Sequence, residues 1–150
     1  MPESNGSIKG EVLSFLEERF GVSPSYLDRL NFQERSGQIW VTTGPSPLGI
    51  ARKRPPGLRA FRRMPDGLKP TSSFLILLGE RITSSRIDLS RDELYSLLLG
   101  RPAATAGPDG YVALSYNGDV VGCGRIRAGK LQALIPTGRR RELLEILSAD

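Results

Sequence analysis

The chain contains no histidine. That absence removes Ser-His and Cys-His nucleophilic pairs, histidine general bases and histidine metal ligands together. There is one cysteine, Cys123. A single thiol forms no internal disulfide and, without histidine, leaves none of the usual zinc ligand sets. It suits a reducing, cytoplasmic setting. Long apolar runs are missing too. The longest stretches from Phe74 to Leu78, far short of the ~20 residues that span a bilayer. The opening Met-Pro-Glu-Ser-Asn-Gly has neither a basic nor an apolar signal region, so no secretory leader is expected.

What is present is enough for a core. In 150 residues, 39% are hydrophobic, which argues against disorder and for one domain, or one small domain with a subdomain attached. The net charge is +5, and it is segregated. Arg52, Lys53, Arg54, Arg59, Arg62, Arg63 and Lys69 share their stretch with one acid, Asp66. Arg125, Arg127, Lys130, Arg139, Arg140 and Arg141 share theirs with none. Two basic runs of this kind suit an anionic partner such as nucleic acid; two solvated faces, balanced by acids elsewhere in the fold, are the plainer reading.

Val12, Leu13, Leu16 and Phe20 fall at helical spacing, and Gly21 ends that helix. Ser23-Pro24 is an N-cap followed by proline at the first helical position, opening a short second helix. Phe32 to Thr43 reads as a hairpin turning at Ser36-Gly37. Its Trp40 is either a base-stacking platform or a core residue, and a lone Trp beside Ile39 and Val41 favours the core. The Pro/Gly/Ser-rich stretch from Gly44 to Pro56 marks a boundary, with units of 1–48 and 49–150. Within it Arg52-Lys53-Arg54 fits a phosphate-contacting arm or a solubilising one.

Beyond that boundary, Leu58 to Arg63 is a strand candidate. Alternation puts Arg59, Phe61 and Arg63 on one face, a mix of charge and aromatic that suits single-stranded RNA, or else a core Phe with edge charges. Pro65-Asp66-Gly67 is a turn. Ser73 to Leu78 reads as a buried strand and Ile82 to Leu89 as a short extended segment. Ser90-Arg91-Asp92-Glu93 is a capping box opening a helix that ends at Gly100. Pro102 to Pro108 is a loop. From Asp109 onward, short β runs are separated by Asn117-Gly118, the signature of a type I′ hairpin, and by Ala128-Gly129. A helix from Arg140 to Leu147 closes the chain. Short strands without a repeating β-α unit indicate an α+β fold: a small mixed β pseudo-barrel with flanking helices, preceded by a small α/β subdomain.

Val120-Val121-Gly122-Cys123-Gly124 looks like the start of a nucleotide-binding glycine loop. It lacks a third glycine at the right spacing, and Arg125-Ile126-Arg127 continues as a strand. A glycine bend or a close backbone approach is the better reading, with no cofactor expected. Cys123 has no histidine to shuttle its proton and reads as a small core residue.

One resemblance joins these anchors. Gly57-Leu58-Arg59, Leu68-Lys69-Pro70-Thr71, Ile87-Asp88-Leu89-Ser90, Leu98-Leu99-Gly100-Arg101 and Gly110-Tyr111-Val112 form a first set. Asn117-Gly118, Gly122-Cys123-Gly124-Arg125, Gly129-Lys130-Leu131 and Ile135-Pro136-Thr137-Gly138-Arg139-Arg140 complete it. Together they resemble the PUA-like C-terminal region of the Sun/nucleolar-protein (RsmF-like) RNA cytosine-5 methyltransferases. Glu17 to Val22 and Gly37 to Val41 resemble that family's small N-terminal region. The family's final hairpin often carries lysines where this chain has Gln132 and Thr137. There is no S-adenosylmethionine-binding Rossmann unit here and no Pro-Cys motif, so the family's catalysis does not carry over.

The resemblance implies a PUA-like fold and RNA binding. The function expected is that of a non-catalytic RNA-binding protein acting on ribosomal or transfer RNA, in RNA modification or ribosome biogenesis. The expected phosphate contacts are Arg59, Arg62, Arg63, Lys69, Arg125, Arg127, Lys130, Arg139, Arg140 and Arg141. The alternative is an accessory subunit that docks on a separately encoded methyltransferase or assembly factor.

Overall fold

The computed structural model describes residues 4–43 and 57–149. The chain opens with helix α1 (Ser4–Phe20) and the short α2 (Pro24–Leu27), capped by Ser23 as its Ser-Pro start predicts. Four strands follow: β1 (Leu30–Arg35), β2 (Gln38–Thr43), β3 (Leu58–Met64) and β4 (Gly67–Pro70). They form an antiparallel sheet in chain order. The boundary expected at 48/49, and Arg52-Lys53-Arg54 with it, lies outside the described residues. Strands β3 and β4, which follow it in sequence, complete the first sheet.

The apolar run after Pro70 is a helix, α3 (Ser72–Leu78), and the strand expected there is corrected. Five consecutive apolar residues carry no period, so the run alone does not distinguish a buried strand from a buried helix. The deciding contact is local. The Thr71 hydroxyl accepts the Phe74 amide at 3.1 Å, an N-cap that opens the helix. The helix then buries Phe74, Leu75 and Leu78 and leaves Leu77 half exposed. It packs against β3 on one side and the strand Asp119–Arg127 on the other, so both halves of the molecule share it.

The second sheet is mixed. It comprises β5 (Arg86–Asp88), β6 (Ala103–Ala104), β7 (Gly110–Tyr116), β8 (Asp119–Arg127) and β9 (Lys130–Ala133) in the order β5-β7-β8-β9-β6. Only β5 runs parallel to its neighbour. The extended segment expected from Ile82 to Leu89 narrows to β5, and the loop expected from Pro102 to Pro108 contributes β6. Helices α4 (Arg91–Leu98) and α5 (Thr137–Ser148) cover one face of this curled half-barrel. The capping box is present in both directions, Glu93 N–H to the Ser90 hydroxyl and Ser90 N–H to the Glu93 carboxylate. Asn117-Gly118 and Ala128-Gly129 both have two successive positive φ angles, as their hairpin turns require.

Two cores result. One lies among α1, α3, the first sheet and Cys123; the other lies between the second sheet and α4/α5. Side chains from the α3–β5 connection join the halves. Thr83 and Ser84 donate their amides to the Phe20 carbonyl and their hydroxyls to Gly21 and Arg19, satisfying the open end of α1. Arg19 Nε in turn donates to the Tyr111 carbonyl at 2.6 Å.

Candidate nucleic-acid interface

The first sheet has a covered face and an open one. Phe32, Ile39, Val41 and Phe61 are buried, on the side of α1 and α3. Side chains alternate along strands, so Asn31, Gln33 and Arg35 on β1 and Gln38, Trp40 and Thr42 on β2 point the other way. Their cross-strand registers agree: Asn31 with Thr42, Gln33 with Trp40, Arg35 with Gln38.

On β3 the alternation breaks. Trp40 pairs with Arg59 and Ile39 pairs with Phe61, so Ala60 is the extra residue of a β-bulge. The bulge reverses parity. Arg59 and Arg62 emerge together on the open face, opposite Trp40 and Gln38, while Phe61 and Arg63 turn inward. The expectation that Arg59, Phe61 and Arg63 share one face is corrected by this one inserted residue. Phe61 is fully buried and meets Phe15 and Phe74 edge-on; it has no surface for a base. Trp40, expected in the core, is half-buried on the open face. Lys69 on β4 sits directly across from Arg62. Arg59 donates to the neutral Gln38 side chain at 2.8 Å.

Arg59, Arg62 and Lys69 line a pocket of about 160 Å³ with Thr71, Ser72, Leu134 and Pro136. That is below the roughly 300–1,000 Å³ of small-molecule sites, and suits an anionic group resting at a seam. Leu134 belongs to the turn after β9, and its amide bonds the Cys123 carbonyl. Farther along, Arg125 pairs with Gln132 and Arg127 with Lys130. Ile126 and Leu131 between them are buried against the second core, so these cations leave on the face that Cys123 also uses. Arg125 lies 5.4 Å from the Tyr111 ring. Leu134 and Pro136, just after β9, thus share one pocket with Arg59, Arg62 and Lys69.

Other expected contacts are engaged elsewhere. Arg63 donates Nε to Glu34 at 2.7 Å and both terminal nitrogens to Glu11 at 2.9 and 3.1 Å. These bonds raise its pKa, the Glu11 bond most, and they hold the Glu11 carboxyl below the usual carboxylate range. Arg140 donates to the carbonyls of Leu98, Ala133 and Ile135 at 3.2 to 3.5 Å, tying α5 to α4 and β9. Arg139 pairs with Glu142 one turn on at 3.2 Å, and Arg141 is exposed on α5.

The glycine stretch is explained by packing. A Cβ on Gly122 would stand 2.5 Å from Ile135 Cγ1, and one on Gly124 would stand 2.9 Å from Leu114 Cδ2. Cys123 between them is fully buried, and burial pushes its thiol up to about 12. Among the described residues, no three Asp, Glu or Cys side chains gather as a metal site, and no helix is long and apolar enough to cross a membrane.

Residues 84–141 match the family model of the methyltransferase RsmF PUA domain. The match covers β5 through the first turn of α5, including the β7–β8–β9 unit. The PUA-matched segment therefore supplies Arg125, Arg127 and Lys130, whereas Trp40, Arg59, Arg62 and Lys69 lie outside it. No curated protein matches the chain. Sequence reasoning missed the open face of β1 and β2. Its signal was the alternation of Asn31, Gln33 and Arg35 with Leu30, Phe32 and Glu34 in a strand next to Trp40.

Proposed function

We propose that this chain is a non-catalytic RNA-binding protein acting on ribosomal or transfer RNA, in RNA modification or ribosome biogenesis. A PUA domain carries RNA binding as its associated role, and the match over 84–141 is what carries the reading. The charge arrangement supports it. Arg62 and Lys69 stand opposite each other with no ion pair among the described residues, and like charges so placed repel unless an anion lies between them. Arg125, Arg127 and Lys130 on the β8–β9 hairpin supply further cations for a phosphate backbone. Arg59, Arg62, Lys69, Arg125, Arg127 and Lys130 carry the contacts in this reading. Arg63 and Arg140 hold the fold.

The test is binding to a structured RNA hairpin across salt concentrations. Log affinity should fall linearly with log salt, and each charge removed by Arg62→Gln or Lys69→Gln should reduce the slope by about 0.7–0.9. Arg63→Gln should leave the slope unchanged. Binding that ignores salt, or no binding at low salt, would overturn the proposal.

A further inference from the structure

We infer that the open face of the first sheet holds an unpaired stretch of RNA, with one base stacked on Trp40 and the adjoining phosphates on Arg59, Arg62 and Lys69. The inference rests on the RNA-binding reading and narrows its substrate to a single-stranded segment.

Three observations carry it. The first is the position of Trp40. Strand β2 lies inside the sheet, so Trp40 is flanked on one side by Gln33 and on the other by Arg59. Its ring stands on the side opposite the packed core, and neither core cluster includes it. A half-buried indole with polar neighbours is held by its strand while part of it remains open.

The second is charge. The strand positions of this face carry Arg35, Arg59, Arg62 and Lys69 and no carboxylate. Glu34 and Glu11 are on the covered side and pair with Arg63 there. The bulge at Ala60 performs this sorting. It places the cations with no ion pair among the described residues beside the tryptophan and the paired one away from it.

The third is geometry. A base in a duplex is stacked on both sides and cannot reach an aromatic ring fixed in a sheet. An unpaired base can, and every base offers a π-face. Gln33 and Gln38 flank the ring with both donors and acceptors, which suits base edges without fixing one sequence. The pocket at Arg59, Arg62, Lys69 and Thr71 is open and too small for a nucleoside-sized cofactor; it suits a phosphate on the strand that leaves the ring.

Trp40 is the sole tryptophan, so its emission reports on this site alone. The full chain is titrated with a single-stranded oligouridylate and, separately, with a blunt RNA duplex. The oligouridylate should quench the emission and the duplex should not. By fluorescence anisotropy with a labelled oligouridylate, Trp40→Val should weaken binding by about 5- to 150-fold, the range for loss of one stacked base. Trp40→Phe should retain most of the affinity, and duplex affinity should be unchanged in both variants. Val keeps strand propensity, and the wild-type quench needs no variant, so a folding failure leaves the test intact. Tight oligouridylate binding without quenching, or with undiminished affinity in Trp40→Val, would overturn the stacking site and leave the RNA-binding reading standing. Binding to neither RNA at low salt would overturn both and leave the face to a protein partner.

Discussion

Replacing Ser72 by alanine tests how the two halves of the molecule are held together. Ser72 is 5% exposed, and its hydroxyl does two things at once. It accepts the Cys123 amide at 2.9 Å and donates to the Leu134 carbonyl at 3.2 Å. Cys123 is wholly inaccessible, so its amide has no water to turn to once the hydroxyl is gone. A stranded buried donor costs roughly 1–3 kcal/mol, more than the net worth of an ordinary hydrogen bond. The lost bond to Leu134 adds less, because a carbonyl near the seam pocket can be wetted. Ser72→Ala should therefore cost about 2 kcal/mol. For a chain of 150 residues that corresponds to a fall in Tm of about 4–8 °C. Urea denaturation followed by circular dichroism should show a lower midpoint with an unchanged slope. Ser73→Ala is the control: Ser73 is the exposed neighbour in the same helix, and its change should stay within about 0.5 kcal/mol. If Ser72→Ala costs no more than Ser73→Ala, the shared serine is not what joins α3 to the second sheet.

Two further outcomes follow from the packing and charge. The Glu11 carboxyl is held below its unfolded pKa by Arg63, so the stability it contributes is present above the unfolded carboxylate value, roughly 4.3, and is lost as pH falls through its depressed folded value. Urea midpoints of wild type should drop on acidification, and Arg63→Gln should flatten that part of the curve; parallel curves would exclude the link. Gly122→Ala should cost about 1–3 kcal/mol by overpacking against Ile135, and Ile135→Ala in the same chain should recover part of it in a double-mutant cycle. Strict additivity would show that the glycine is not needed for the approach of that side chain.

Much of the local structure was legible in the sequence because local chemistry sets it. The Ser23 and Ser90 caps, the Gly21 and Gly100 helix ends and the Asn117-Gly118 turn are each decided within four or five residues. The half-barrel was legible too, through turn spacing and through the many anchors of the RsmF-type resemblance. The helix at Ser72–Leu78 was not. An unbroken apolar run records burial without direction, and a single threonine before it is a weak signal for the cap that starts the helix.

The basic residues show the same division. Their number and their gathering into two runs are properties of the sequence. Which of them face outward is not. A β-bulge at Ala60 depends on how β2 meets β3, two strands separated by a long connection, and no residue near Ala60 signals it. That single inserted residue sends Arg63 to Glu11 and Glu34, and puts Arg59 and Arg62 beside Trp40. Composition determined that the molecule carries excess positive charge. Only the pairing of distant strands decided which cations are neutralised and which remain available to an anionic partner, because side-chain direction in a sheet is set by register and register is a long-range property.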